Sequence, residues 1–242
     1  MTDTHFIFLH GGPGYRDYLA PYFRETLPEG YESHFYDQAR GADVSVDALV
    51  RQLDGVVQSI WQKINEPIYL VGHSWGGALA LEYLRQERSQ IQGLVLIDAC
   101  IRKNDVYDEF QAEMKRLNIR EDDIESIFFA EDEKTEGRKL LIKINPEFDG
   151  EVFEKIERSY LRYLDLTEVV RALSIPILNI YGGNDVRIPA RTIAGFRSLN
   201  DKIRTIEIAG AGHFPFVLPH RRDLIIEEIV RFSASKIQTN QP

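Results

Sequence analysis

Short apolar runs alternate with longer amphipathic stretches along most of the chain. Residues 6–9, 32–36, 68–71, 93–97, 177–181 and 204–208 are rich in branched and aromatic side chains, and several end at Gly, Asp or His. Each run has the length of a strand, and three of the six (6–9, 68–71 and 93–97) are apolar without interruption, as in strands covered on both faces. Residues 46–64, 76–88, 190–199 and 219–237 instead repeat their apolar side chains at helical spacing. The alternation predicts an α/β fold: a mostly parallel sheet of about six strands with helices on both faces.

One long stretch departs from this pattern. Between residues 101 and 173 no strand is expected, and the pattern is helical over 106–117, 122–130, 136–144 and 151–164. Ile124, Ile127 and Phe128, and further on Phe153, Ile156, Tyr160 and Tyr163, fall at helical spacing. A helical insertion between two parallel strands is expected to cap the carboxyl ends of the sheet. The expected division is therefore a core of residues 1–100 and 174–242 with a helical cap, or lid, over 101–173. The polar tail after Ser235 is expected to fray.

A chain of 242 residues suffices for one well-cored domain and is short for two. The formal net charge of -9 argues against nonspecific binding to nucleic acid or to anionic membranes. The acidic clusters at 121–123 and 131–133 read as solvated faces. A single cysteine, Cys100, excludes an internal disulfide and a zinc ribbon, and it reads as a buried, inert thiol. No apolar run nears the ~18 residues of a membrane span. The first residues lack the basic start and apolar segment of a signal peptide, so a cytoplasmic location is expected.

Ligands of open parallel sheets bind at the carboxyl ends of the strands, and here the reactive residue types collect at those exits. The first strand leads into His10-Gly11-Gly12-Pro13-Gly14 and the second into Asp37-Gln38-Ala39-Arg40-Gly41. The third leads into Gly72-His73-Ser74-Trp75-Gly76, the fourth into Asp98-Ala99-Cys100, the fifth into Gly182-Gly183-Asn184-Asp185 and the sixth into Gly210-Ala211-Gly212-His213. A serine between a strand and a helix, flanked by glycines at 72 and 76, fits a sharp turn that lifts its hydroxyl above the sheet. That hydroxyl needs a base, for which His213 is the best placed, and the base needs an acceptor on its other nitrogen. Asp185 is the favoured acceptor and Asp98, which also ends a strand, is its rival. The backbone N–H groups of Gly12 and Trp75 are the candidate oxyanion donors, since Pro13 has no N–H to offer. His10 and His73 are expected to pack or bond to backbone, and Asp37 and Arg40 to brace loops. Tyr15, Tyr18, Phe128, Phe129 and Phe214 are the candidate pocket residues. No metal-ligand cluster or phosphate loop is visible, so no metal, nucleotide or organic cofactor is expected.

H-G-G-P-G at 10–14, Asp-Gln at 37–38, G-H-S-W-G-G at 72–77, G-x-x-D at 182–185 and G-H-F-P at 212–215 together carry a resemblance. The chain resembles the α/β-hydrolases, in which the triad follows the order Ser, Asp, His, and within them it is similar to the prolyl iminopeptidase group. The likeness spans about residues 5–100 and 175–230 and omits the cap. Three features depart from that group: an alanine separates Asp-Gln from Arg-Gly at 37–41, the first strand begins near residue 5 with no hairpin expected before it, and the cap holds no tryptophan. The group holds its substrate's free amine with cap glutamates, and Glu109, Glu113, Glu125 and Glu157 do not align with them. The expected reaction is hydrolysis of a small ester or amide through an acyl-enzyme. The alternatives are release of amino-terminal proline from peptides and, in another class, a hydrolase-like receptor for a small molecule. The expected partner is a small-molecule or short-peptide substrate, with no nucleic acid and no membrane.

Overall fold

In the computed structural model, which describes residues 3–41 and 43–237, six strands form one wholly parallel sheet in the order β2-β1-β3-β4-β5-β6. The strands are β1 (Thr4–Leu9), β2 (Tyr31–Phe35), β3 (Ile68–His73), β4 (Ile91–Ile97), β5 (Ile177–Gly182) and β6 (Ile203–Ile208). Every residue of β1 and β3 is buried, whereas the edge strands β2 and β6 are partly exposed. Side chains alternate between two cores, as a pleated strand requires. Ile7, Leu9, Leu70, Leu94 and Leu96 face α2 (Val46–Ile64) and α3 (Trp75–Tyr83), while Phe6, Phe8, Tyr69, Val71 and Val95 face α10 (Pro219–Ile237).

Local chemistry sets the helix ends. Ser45 caps α2 by accepting the Ala48 N–H, and Leu49, Leu53 and Val57 bury one stripe of that helix. The pattern predicts a helix to residue 88, but α3 ends at Tyr83. There the apolar spacing gives way to Arg85-Gln86-Glu87-Arg88, and the Arg88 guanidinium takes the Tyr83 carbonyl at 3.3 Å. The helix expected over 190–199 divides into α9 (Ala190–Ala194) and a single 3-10 turn, Phe196–Ser198. A one-turn helix that no periodicity announces, α1 (Ala20–Phe23), forms because the Asp17 carboxylate accepts the N–H groups of Leu19 and Ala20.

Five helices lie between β4 and β5: α4 (Lys103–Leu117), α5 (Ile124–Phe128), α6 (Lys134–Ile144), α7 (Gly150–Ser159) and α8 (Thr167–Ala172). Two backbone hydrogen bonds draw the ends of this segment together, from Lys103 N to Leu164 O and from Leu166 N to Ile101 O. Its middle reaches the loop after β1, where Asp149 N donates to Gly14 O at 2.9 Å. Gly14 has φ +98°, and a Cβ there would lie 2.4 Å from the Asp149 oxygen, so both conformation and contact require glycine.

Candidate active site

β3 stops at His73 and α3 starts at Trp75, which leaves Ser74 alone to turn the chain. It does so at φ 52° and ψ −118°, a strained conformation for a residue with a side chain. The turn closes because its neighbours are bare. A Cβ on Gly72 would lie 2.6 Å from Gly76 O, and one on Gly76 would lie 2.1 Å from Leu9 O.

His213, in the loop after β6, places Nε2 3.0 Å from Ser74 Oγ and Nδ1 2.8 Å from Asp185 Oδ2. In the neutral ring this arrangement has Nδ1–H donating to Asp185, while Nε2 accepts from the serine hydroxyl. Asp185 is held in turn by the Ile188 N–H on its Oδ1 at 3.0 Å. Its rival Asp98 sits one strand over, fully buried at φ 46°, with Oδ1 accepting the Gly182 N–H at 2.8 Å. Burial, and then the charge of Asp185, hold the Asp98 carboxyl well above the usual carboxylate range. Asp98, Asp185 and His213 offer the donor types of a metal site within 4.8 Å of one another, but the Asp185–His213 hydrogen bond already engages the facing nitrogen.

The loop after β1 runs against the serine: a Cβ on Gly11 would lie 2.9 Å from Ser74 Cβ. Among the described residues no protein acceptor meets the N–H of Gly12 or of Trp75, the latter being the first donor of α3. A directional chain of hydrogen bonds ties this loop to His213. His73 Nε2 faces the His213 carbonyl at 2.8 Å and so carries the proton. Its Nδ1 therefore accepts, the Tyr18 hydroxyl donates to it at 2.6 Å, and the Tyr18 oxygen accepts the Gly11 N–H at 2.8 Å. Burial pushes His73 well below the usual imidazole range and His10 down to about 4, so both stay neutral. His10 bonds the Gly11 carbonyl and accepts the Gln38 N–H, and Gln38 accepts the Trp75 indole N–H at 2.8 Å. Asp37 accepts from Arg16 and from Asp17 N, while Arg40 reaches the Glu147 carbonyl; both act as loop braces.

The loop carrying His213 is fastened from the helices between β4 and β5. Phe128 O accepts the His213 N–H at 2.8 Å, and Glu133 Oε2 accepts the N–H groups of Gly212 and Ala130. Glu133 belongs to an acidic cluster expected to be solvated, yet it is fully buried. Its ion pair with Arg221 NH1 at 2.6 Å and those two donors favour the charged form and oppose the burial, which still holds the Glu133 carboxyl above its usual range.

Ser74 opens into a cavity of about 270 Å³. Tyr15, Tyr18, Phe128 and Phe214 line it; Phe129 does not. Phe129 packs on Phe214 and fills the space beside Gly137, so it serves the core. Tyr160 packs edge-on against Trp75, and Tyr163 is exposed.

Residues 6–226 match the model of the alpha/beta hydrolase family. The chain belongs to that family. Over 37% of its length it is 30% identical to a proline iminopeptidase of Chitinophaga pinensis, and the match spans about a third (33%) of that relative. A Mycoplasma genitalium protein provisionally described as an esterase/lipase is 28% identical over 87% of this chain and 82% of its own. An esterase from Exiguobacterium antarcticum superposes with a TM-score of 0.72 at 20% identity, covering 96% of this chain and 92% of that one, and shares the fold.

The pocket of this α/β-hydrolase also contains residues that motif reasoning passes over, notably Lys103, Phe148, Arg187 and Ile188. Cys100, expected to be inert, lines it too, and burial pushes its thiol up. Arg187 lies two residues beyond Asp185 and Lys103 opens the helical segment, so position relative to the strand exits was the available signal. Among the described residues no helix is long and apolar enough to cross a membrane.

Proposed function

We propose that this α/β-hydrolase is a serine hydrolase that cleaves a small ester or amide, with esters preferred, through an acyl-enzyme. Ser74 attacks the carbonyl carbon, and His213 takes the hydroxyl proton and later delivers it to the leaving group. Asp185 orients the ring and stabilises its charged form, while the N–H groups of Gly12 and Trp75 hold the oxyanion. A water activated by the same histidine then releases the acid. The helices between β4 and β5 serve as the cap. The observation that carries this reading is the unbroken hydrogen-bond chain from Ser74 through His213 to Asp185, opening into a pocket.

Partial identity to proline iminopeptidases supports a peptidase reading. Against it, no carboxylate lines the pocket among the described residues, so a free amino group would find no counter-charge there. Rates on a panel of 4-nitrophenyl esters and on prolyl-naphthylamide separate the two readings; activity confined to the proline substrate would reverse the preference. Ser74→Ala is expected to lower kcat/KM by about 10⁴ or more. An unchanged rate in that variant would refute the mechanism.

A further inference from the structure

We propose that the substrate carries a carboxylate besides its reacting group, and that Lys103 and Arg187 hold it. This rests on the hydrolase reading above. Both side chains line the Ser74 cavity, and both come from strand exits on the side of Ser74 away from the Gly12 loop: Lys103 follows β4 and Arg187 follows β5. The rest of the lining is largely aromatic and aliphatic, with Val106, Leu161 and Ile188 among it.

Among the described residues no side-chain hydrogen bond or ion pair engages either basic head group; Arg187 only stacks over Phe110, 5.2 Å from the ring centre. Burial and then the neighbouring Arg187 charge pull the Lys103 ammonium below its usual range, a greater effect than the opposing pull of Glu157. Glu157 itself turns to Arg162 at 3.5 Å. Two half-buried cations that repel each other over an apolar wall raise the energy of the empty pocket. An anion between them removes that repulsion, and a planar carboxylate suits the guanidinium fork.

Two matched ester pairs test this: mono-4-nitrophenyl adipate against 4-nitrophenyl hexanoate places the charge on the acyl side. The acetate ester of 3-hydroxybenzoate against phenyl acetate places it on the leaving side. In one pair the charged ester is expected to lead by about tenfold or more in kcat/KM. Lys103→Met and Arg187→Met should each bring that ratio towards one. Ratios near one in both pairs, or a lead that survives both substitutions, overturn the proposal. Calorimetric titration of adipate into Ser74→Ala protein examines the site without chemistry. If all four esters are inert, the ester preference falls; adipate binding that Arg187→Met abolishes would still support the anion site, and no binding would refute it.

Discussion

Ser74 holds its unfavourable backbone angles because the residues around it have no side chains to object. Gly76→Ala would drive a Cβ to within 2.1 Å of the Leu9 carbonyl, backbone against backbone. It is expected to lower stability by about 3 kcal/mol, the upper end for overpacking, seen as a lowered Tm or a failure to fold. Asp98 makes a subtler prediction. Its folded-state carboxyl keeps a proton that the unfolded chain gives up near pH 3.8. Stability from this group is therefore present below that pH and is lost as pH rises towards the raised folded value. Asp98→Asn has no such proton to lose. Relative to the variant, wild type should lose up to about 1.4 kcal/mol per pH unit across that window, read from urea unfolding at a series of pH values.

At the scale of elements, α5 and the turn that follows it grip the His213 loop, through Phe128 O and the Glu133 carboxylate. Glu133→Ala would strip an acceptor from two buried N–H groups and leave Arg221 with only Asp132, whose side chain is half exposed. The expected cost is about 3 kcal/mol, the low end for breaking a buried pair. Because the loop carries the proposed base, His213, kcat should fall more than KM rises. Glu133→Gln, whose amide oxygen can still accept both N–H groups, should recover much of kcat. Equal losses in the two variants would make Glu133 a purely structural residue.

Across the whole molecule, the buried histidines set the response to acid. His10 and His73 stay neutral when folded but take up protons near pH 6.5 once unfolded, so their stability is present above that pH and lost below it. For His10, whose folded value is about 4, the loss from pH 6.5 down to that value is about 3 kcal/mol. Urea midpoints should drop over this range, and His10→Gln should flatten the drop. The sheet was legible in the sequence because central strands are largely apolar on both faces and the two edge strands still carry branched and aromatic residues: all six were expected within two residues of where they begin. The approach of Ser74, Asp185 and His213 was legible because parallel strands all deliver their exits to one edge. Elements defined by side-chain chemistry at a distance were not. Arg221, which makes Glu133 tolerable in the interior, lies 88 residues away. α1 was missed for a different reason, since one local carboxylate caps a turn too short to show periodicity, and the two pocket cations belong to no motif.

The grip of α5 on the histidine loop also limits how the protein can breathe. Lifting that part of the helical segment off the sheet would release the His213 N–H and uncover the buried Glu133 charge in the same motion. Opening on this side would thus loosen the loop that holds His213 against Ser74 and Asp185. Tyr15 and Phe148, which also line the cavity, meet ring to ring outside that grip.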